Sequence, residues 1–106
     1  MWSNTSLETV EEILTGDAPV LIFKHSYRCS ISSMALGRIE KIKDIIDAKT
    51  TFILVDVINQ RDLSQKIEKK LAITHASPQL IFVKNNIVQF VDSHMNIKAS
   101  KVLDHL

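Results

Sequence analysis

One cysteine, two glycines, two prolines and one tryptophan in 106 residues rule out several kinds of protein at once. A lone cysteine closes no intramolecular disulfide, so the disulfide framework of small secreted domains is excluded. With so little glycine and proline there are no linker-like or low-complexity stretches, and the secondary-structure elements must follow one another closely. The charge is nearly balanced, 13 basic against 12 acidic residues for a net +1, so no broad basic field exists to hold a nucleic acid or an anionic membrane. No apolar run approaches membrane-spanning length, and Met1-Trp2-Ser3-Asn4-Thr5 is not a secretory signal. The reducing cytoplasm is the expected location. What is present is ordinary: 45% apolar and 24% charged residues, enough for one globular domain over residues 1–106 with its own core.

Thr5-Ser6-Leu7-Glu8 has the spacing of a capping box and predicts a short helix from about Ser6 to Leu14, ended by Gly16. Ala18 to Lys24 is a continuous apolar run that reads as a central strand buried on both faces, with Pro19 at its start. After the polar turn His25 to Ser30, apolar residues from Ile31 to Ile46 recur at helical spacing and predict a helix from about Ser30 to Asp47. A second buried strand covers Thr50 to Val57, and a helix capped around Asn59 to Asp62 runs to about Leu71. Gln79 to Lys84 and Ile87 to Val91 read as a hairpin turning at Asn85-Asn86, two residues that tolerate positive φ. A final helix carries Ile97, Val102, Leu103 and Leu106. The order α-βαβ-α-ββ-α predicts an α/β fold of thioredoxin-like arrangement, a four-stranded mixed sheet with flanking helices and an added N-terminal helix.

That topology brings four segments to one sheet edge: Lys24 to Ser30, Val57 to Asn59, His75 to Pro78 and Asp92 to Met95. Loops at such an edge are where function concentrates. Cys29 falls where the edge meets a helix start, whose unpaired amides and dipole favour a thiolate, and Arg28 adds positive charge. The thiolate is the attacking form in disulfide exchange. Cys29-Ser30-Ile31-Ser32 has the spacing of a C-x-x-C redox motif with serine in second place. Ser32 cannot resolve a mixed disulfide, so exchange here uses one thiol; the plainer reading of Ser32 is a serine solvated in the first helical turn. Ser77-Pro78 precedes a strand at the same edge; in this arrangement the proline is expected to be cis, which turns the backbone of Ala76 and Ser77 toward Cys29, the plainer reading being a trans proline that starts an edge strand. His94 and, less so, His75 are candidates for proton transfer or carboxylate binding, and His25 stands near the thiol in sequence. One cysteine with scattered histidines lacks zinc-site spacing, and no Gly-rich phosphate loop or Ser-His-Asp signature occurs.

Leu21-Ile22-Phe23-Lys24-His25-Ser26 with Arg28-Cys29-Ser30-Ile31-Ser32 resembles the active segment of the YtxJ-type monothiol bacilliredoxins, thioredoxin-like bacterial proteins. Ala76-Ser77-Pro78-Gln79 and Ser93-His94 followed by Ile97 resemble two further segments of that family. The resemblance implies that Cys29 removes bacillithiol, a thiol carrying cysteine, glucosamine and malate, from mixed disulfides on client proteins. The low-molecular-weight thiol is then a co-substrate and no cofactor is needed. Family members often carry proline where this chain has Ser30. Lys24 and Arg28 are expected to pair with the malate carboxylates. Two alternatives remain at this stage: a glutaredoxin-like monothiol protein using another thiol, although Asp92-Ser93 stands where those proteins place Gly-Gly, and a non-catalytic interaction or redox-sensing module on the same fold.

Overall fold

The computed structural model describes residues 2–3, 19–41, 50–85, 87–94 and 97. In chain order these give β1 (Trp2–Ser3), β2 (Val20–His25), α1 (Ser30–Glu40), β3 (Thr51–Asp56), α2 (Arg61–Leu71), β4 (Gln79–Lys84) and β5 (Ile87–Ser93). The expected helix over residues 6–14, the stretch 42–49 and the closing helix beyond Ile97 lie outside the described residues. Among the described residues no helix is long and apolar enough to cross a membrane.

The sheet runs β1-β3-β2-β4-β5. β2 is parallel to β3 and antiparallel to β4, and β4 forms the hairpin with β5. These are the four expected strands. The two-residue β1, too short for any periodicity to announce, adds to them by pairing in parallel with β3. The hairpin turns at Asn85, whose φ of 54° is the positive value expected of it; Asn86 lies outside the described residues.

Side chains alternate across a strand, so each central strand feeds two cores. Leu21 and Phe23 join Phe52, Leu80 and Phe82 on one face, against Ala35 and Ile39 of α1 and Ile97. Val20 and Ile22 join Ile53, Val55, Ile81 and Val83 on the other, against Leu63 and Ile67 of α2. Each of the valine, leucine, isoleucine and phenylalanine side chains among them, fully buried, stabilises the fold by about 1.5–3 kcal/mol relative to exposure. α2 ends on Ala72 in the left-handed region, φ 55°, whose N–H donates to the Glu68 carbonyl. The N–H of Ile73 donates to the same carbonyl at 3.1 Å.

Because β2 extends to His25, alternation separates its last two residues. His25 follows Leu21 and Phe23 onto the α1 face, and Lys24 follows Val20 and Ile22 onto the α2 face.

Candidate functional site

The parallel strands β2 and β3 end at His25 and Asp56, β4 begins at Gln79, and β5 returns to pair Ser93 with Gln79. Backbone bonds tie these ends together. The Val57 N–H donates to the His25 carbonyl at 3.0 Å, and the His94 N–H donates to the Pro78 carbonyl at 3.0 Å. The four segments expected at one edge therefore meet there over their described residues; Met95 lies outside these.

Between β2 and α1 the chain makes a tight turn, in which the Cys29 N–H donates to the Ser26 carbonyl at 3.1 Å. Cys29 is the N-cap of α1, with extended backbone at φ −108° and ψ 121° and no side-chain capping bond. Its carbonyl accepts the N–H of Ser33 at 3.1 Å, the first bond of the helix. The thiol is free and partly exposed. No acidic residue sits in the first turn to oppose the positive end of the helix dipole. Ser30 and Arg28 flank the cysteine and are exposed.

Ser32 is not solvated, as the plainer reading had it, but completely buried. Its Oγ accepts the Ser26 N–H at 3.0 Å and lies 2.7 Å from His25 Nδ1. The residue at the second position of the motif thus pins both the start of the turn and the last residue of β2. His25 is itself buried, and the exposed ring of Tyr27 meets its edge with centroids 4.2 Å apart. Burial holds the His25 imidazole below the ordinary histidine range, against the pull of Asp56 and then Glu40.

Across the edge, the Ser77–Pro78 peptide is cis and Pro78 is buried. Ala76 and Ser77 are half-buried, and the Ser77 Oγ is buried without a hydrogen-bond partner among the described residues. His94 is exposed, with φ 55°, and joins this segment through its backbone bond to Pro78.

Lys24 requires a correction. It was expected to reach a ligand carboxylate beside the cysteine, but its side chain is fully buried on the opposite sheet face. Its Nζ donates to the Ser64 carbonyl of α2 at 3.2 Å and lies 3.2 Å from His75 Nδ1. Burial pushes the ammonium down, with Glu68 pulling the other way. His75, left at the sequence level as a candidate in a solvated loop, is exposed yet engaged: Nδ1 is also 3.2 Å from Ser64 Oγ, and its backbone N–H donates to the Glu68 carboxylate. Burial, then the Lys24 charge, hold its imidazole below the ordinary range, against Glu68.

Sequence reasoning missed Tyr27, Ser64 and Glu68. The signal for the last two was available: Ser64 falls beside Leu63 and Ile67 on the buried side of α2, and Glu68 is four residues further on. Tyr27 carries no pattern that distinguishes it from any turn aromatic.

What the site offers chemically is one reachable sulfur at a helix start, a serine in place of a resolving thiol, and a proline-flanked segment at the same edge. The family model of the monothiol bacilliredoxin BrxC matches residues 4–102. Among solved structures, a proposed oxidoreductase with a thioredoxin fold is 27% identical, with TM-score 0.81 over 93% of this chain and 87% of its own. Thioredoxin from Malassezia sympodialis (Mala s 13) is 24% identical, with TM-score 0.74 over 99% of this chain and 89% of its own. Thioredoxin O2 from Arabidopsis thaliana is 20% identical, with TM-score 0.76 over 95% and 89%. The fold is that of thioredoxin, and with the family match the comparisons support a thiol oxidoreductase-like role.

Proposed function

Because the chain belongs to the monothiol bacilliredoxin BrxC family, we propose that it removes bacillithiol from mixed disulfides on client proteins through Cys29. In this reading the Cys29 thiolate attacks the bacillithiol sulfur of a client disulfide. The client sulfur leaves as a thiolate and takes up a proton, for which His94 at the same edge is the donor. Cys29 now carries bacillithiol in a new disulfide. A second low-molecular-weight thiolate attacks the bacillithiol sulfur of that disulfide, freeing Cys29 and leaving a disulfide of the two small thiols. Bacillithiol is a co-substrate here, no cofactor takes part, and the S-thiolated clients are the partners. The setting is a bacterial cytoplasm that makes this thiol.

The observation that carries the reading is the pairing of a partly exposed Cys29 with a buried, hydrogen-bonded Ser32. A dithiol protein would keep its resolving sulfur at the second position; this chain uses the position to fasten the turn. Arg28, exposed next to the thiol, is the cation for the malate carboxylates. Ser30, where family members often carry proline, retains a backbone N–H that proline lacks, one more donor at the helix start. Ala76 and Ser77 offer backbone peptide groups to the cysteine portion of the ligand.

Intact-mass analysis after challenge with bacillithiol disulfide or glutathione disulfide tests this. The expected result is one bacillithiol adduct on Cys29, formed faster than the glutathione adduct. Preference for glutathione indicates a glutaredoxin-like protein, and adducts with neither indicate an interaction module; either outcome overturns the proposal.

A further inference from the structure

Lys24 is an uncommon residue to find at the end of a central strand. Lysines are seldom fully buried, and a buried ammonium must spend its donors on fixed acceptors. Lys24 Nζ has two such contacts, the Ser64 carbonyl and His75 Nδ1, each at 3.2 Å. An ammonium only donates, so Nδ1 is the accepting nitrogen and the His75 proton sits on Nε2. His75 is also held by its backbone N–H on Glu68 and by the Ser64 hydroxyl. One residue earlier, the Thr74 carbonyl accepts from Gln79 Nε2 at 3.0 Å. Gln79 is the residue paired across the sheet with Lys24. The chain from Thr74 to Gln79 is therefore anchored at its first two residues, and Ala76, Ser77 and Pro78 lie between those anchors and the strand.

We infer that Lys24 and His75 are positioning residues, acting together from the sheet face away from Cys29 to hold the Ala76-Ser77-Pro78 segment where an incoming mixed disulfide pairs with it. Neither touches the reacting sulfurs. The inference rests on the proposed exchange reaction for what the segment does, but not for how the segment is held. The groups facing His75 are Lys24 from β2 and Ser64 and Glu68 from α2. Arg61 shares with His75 and Glu68 the lining of an open cavity of about 500 Å³ on this face. Protonating His75 removes the only acceptor its ring offers Lys24 and sets two cations against each other, so the anchor weakens on acidification.

The test compares the full-length parent with His75→Ala, His75→Asn and Lys24→Met. Asparagine Oδ1 stands where histidine Nδ1 does and accepts from Lys24 without titrating. Three readouts are taken: kcat and KM on a bacillithiolated client protein, the rate of Cys29 alkylation by iodoacetamide, and amide hydrogen exchange over residues 75–77. Losing one charge-assisted bond in His75→Ala is expected to raise KM about tenfold, the equivalent of about 1.4 kcal/mol, with kcat and alkylation within about twofold. Exchange over 75–77 speeds up. His75→Asn restores KM and exchange, and it abolishes the rise in KM that the parent shows below neutral pH. Lys24→Met, if it folds, behaves as His75→Ala. Equal effects of alanine and asparagine, or an alkylation rate that falls as KM rises, overturn the inference. If the parent itself turns over no client, the proposed function fails instead, and exchange over 75–77 still decides the anchoring: unchanged exchange in His75→Ala overturns it.

Discussion

Replacing Ser32 with alanine tests the wiring beneath the reactive turn. The substitution removes one oxygen and leaves two groups without their partner, the Ser26 N–H and His25 Nδ1. Leaving a buried polar group unsatisfied costs about 1–3 kcal/mol. Ser26 is half-buried and falls at the low end of that range; His25 is buried and falls higher. Their sum is about 3 kcal/mol, a large share of the roughly 5–15 kcal/mol that holds a domain together. In urea, with an m-value of about 1.5 kcal/mol/M, the midpoint falls by about 2 M. The control is Ser33→Ala, one residue on and exposed, where a surface change stays within about 0.5 kcal/mol. Fluorescence or circular-dichroism titrations of both variants give the comparison directly. If the two midpoints fall together at unchanged m, Ser32 is an ordinary surface serine and the fastening of the turn is refuted.

Acid should destabilise the protein through its histidines. The folded-state values of His25 and His75 are both lowered, so each is neutral when folded over a range where the unfolded chain takes up a proton. Their contribution to stability is complete above the ordinary histidine value and is lost as pH falls from there to the lowered values. Urea midpoints measured from neutral pH down to about pH 5 should decline, and His25→Asn, which keeps an acceptor toward Ser32, should decline less; equal slopes contradict the assignment. Ala72→Gly should raise stability by about 0.5–1 kcal/mol, because the left-handed backbone at φ 55° suits glycine, and a lowered midpoint would show that this cap is not strained.

Much of this architecture is legible in the residue order. The apolar run after Pro19 gives the central strand to within a residue or two, Gln79 to Lys84 matches β4, and the turn at Asn85 follows from its tolerance of positive φ. Cys29 at a helix start follows from topology once the strands are placed, whereas the cis Ser77–Pro78 bond is an expectation of the thioredoxin-like arrangement that strand order alone does not dictate. What sequence reading lost was parity. Treating Lys24 to Ser30 as one edge segment placed Lys24 and His25 together, whereas a strand that reaches His25 turns them to opposite faces. Lys24 lay inside the expected strand, so its alternation with Phe23 already set it on the face of Ser64 and His75. Burial of Ser32 was passed over for a related reason. Ser30, Ser32 and Ser33 stand around Ile31 in the first turn of the helix, and it is Ser32 that shares the buried side with Ala35 and Ile39, three and seven residues on.

The most direct measurement is single-turnover transfer from a client. A purified protein carrying bacillithiol on one cysteine is mixed with an equimolar amount of this protein, and intact masses of both are followed in time. The account requires the client to lose the bacillithiol mass as Cys29 gains it, one for one, with no transfer to Cys29→Ala and undiminished transfer to Ser32→Thr, provided that variant folds. Loss of the adduct from the client at the same rate with Cys29→Ala, or no gain of mass on Cys29, contradicts it.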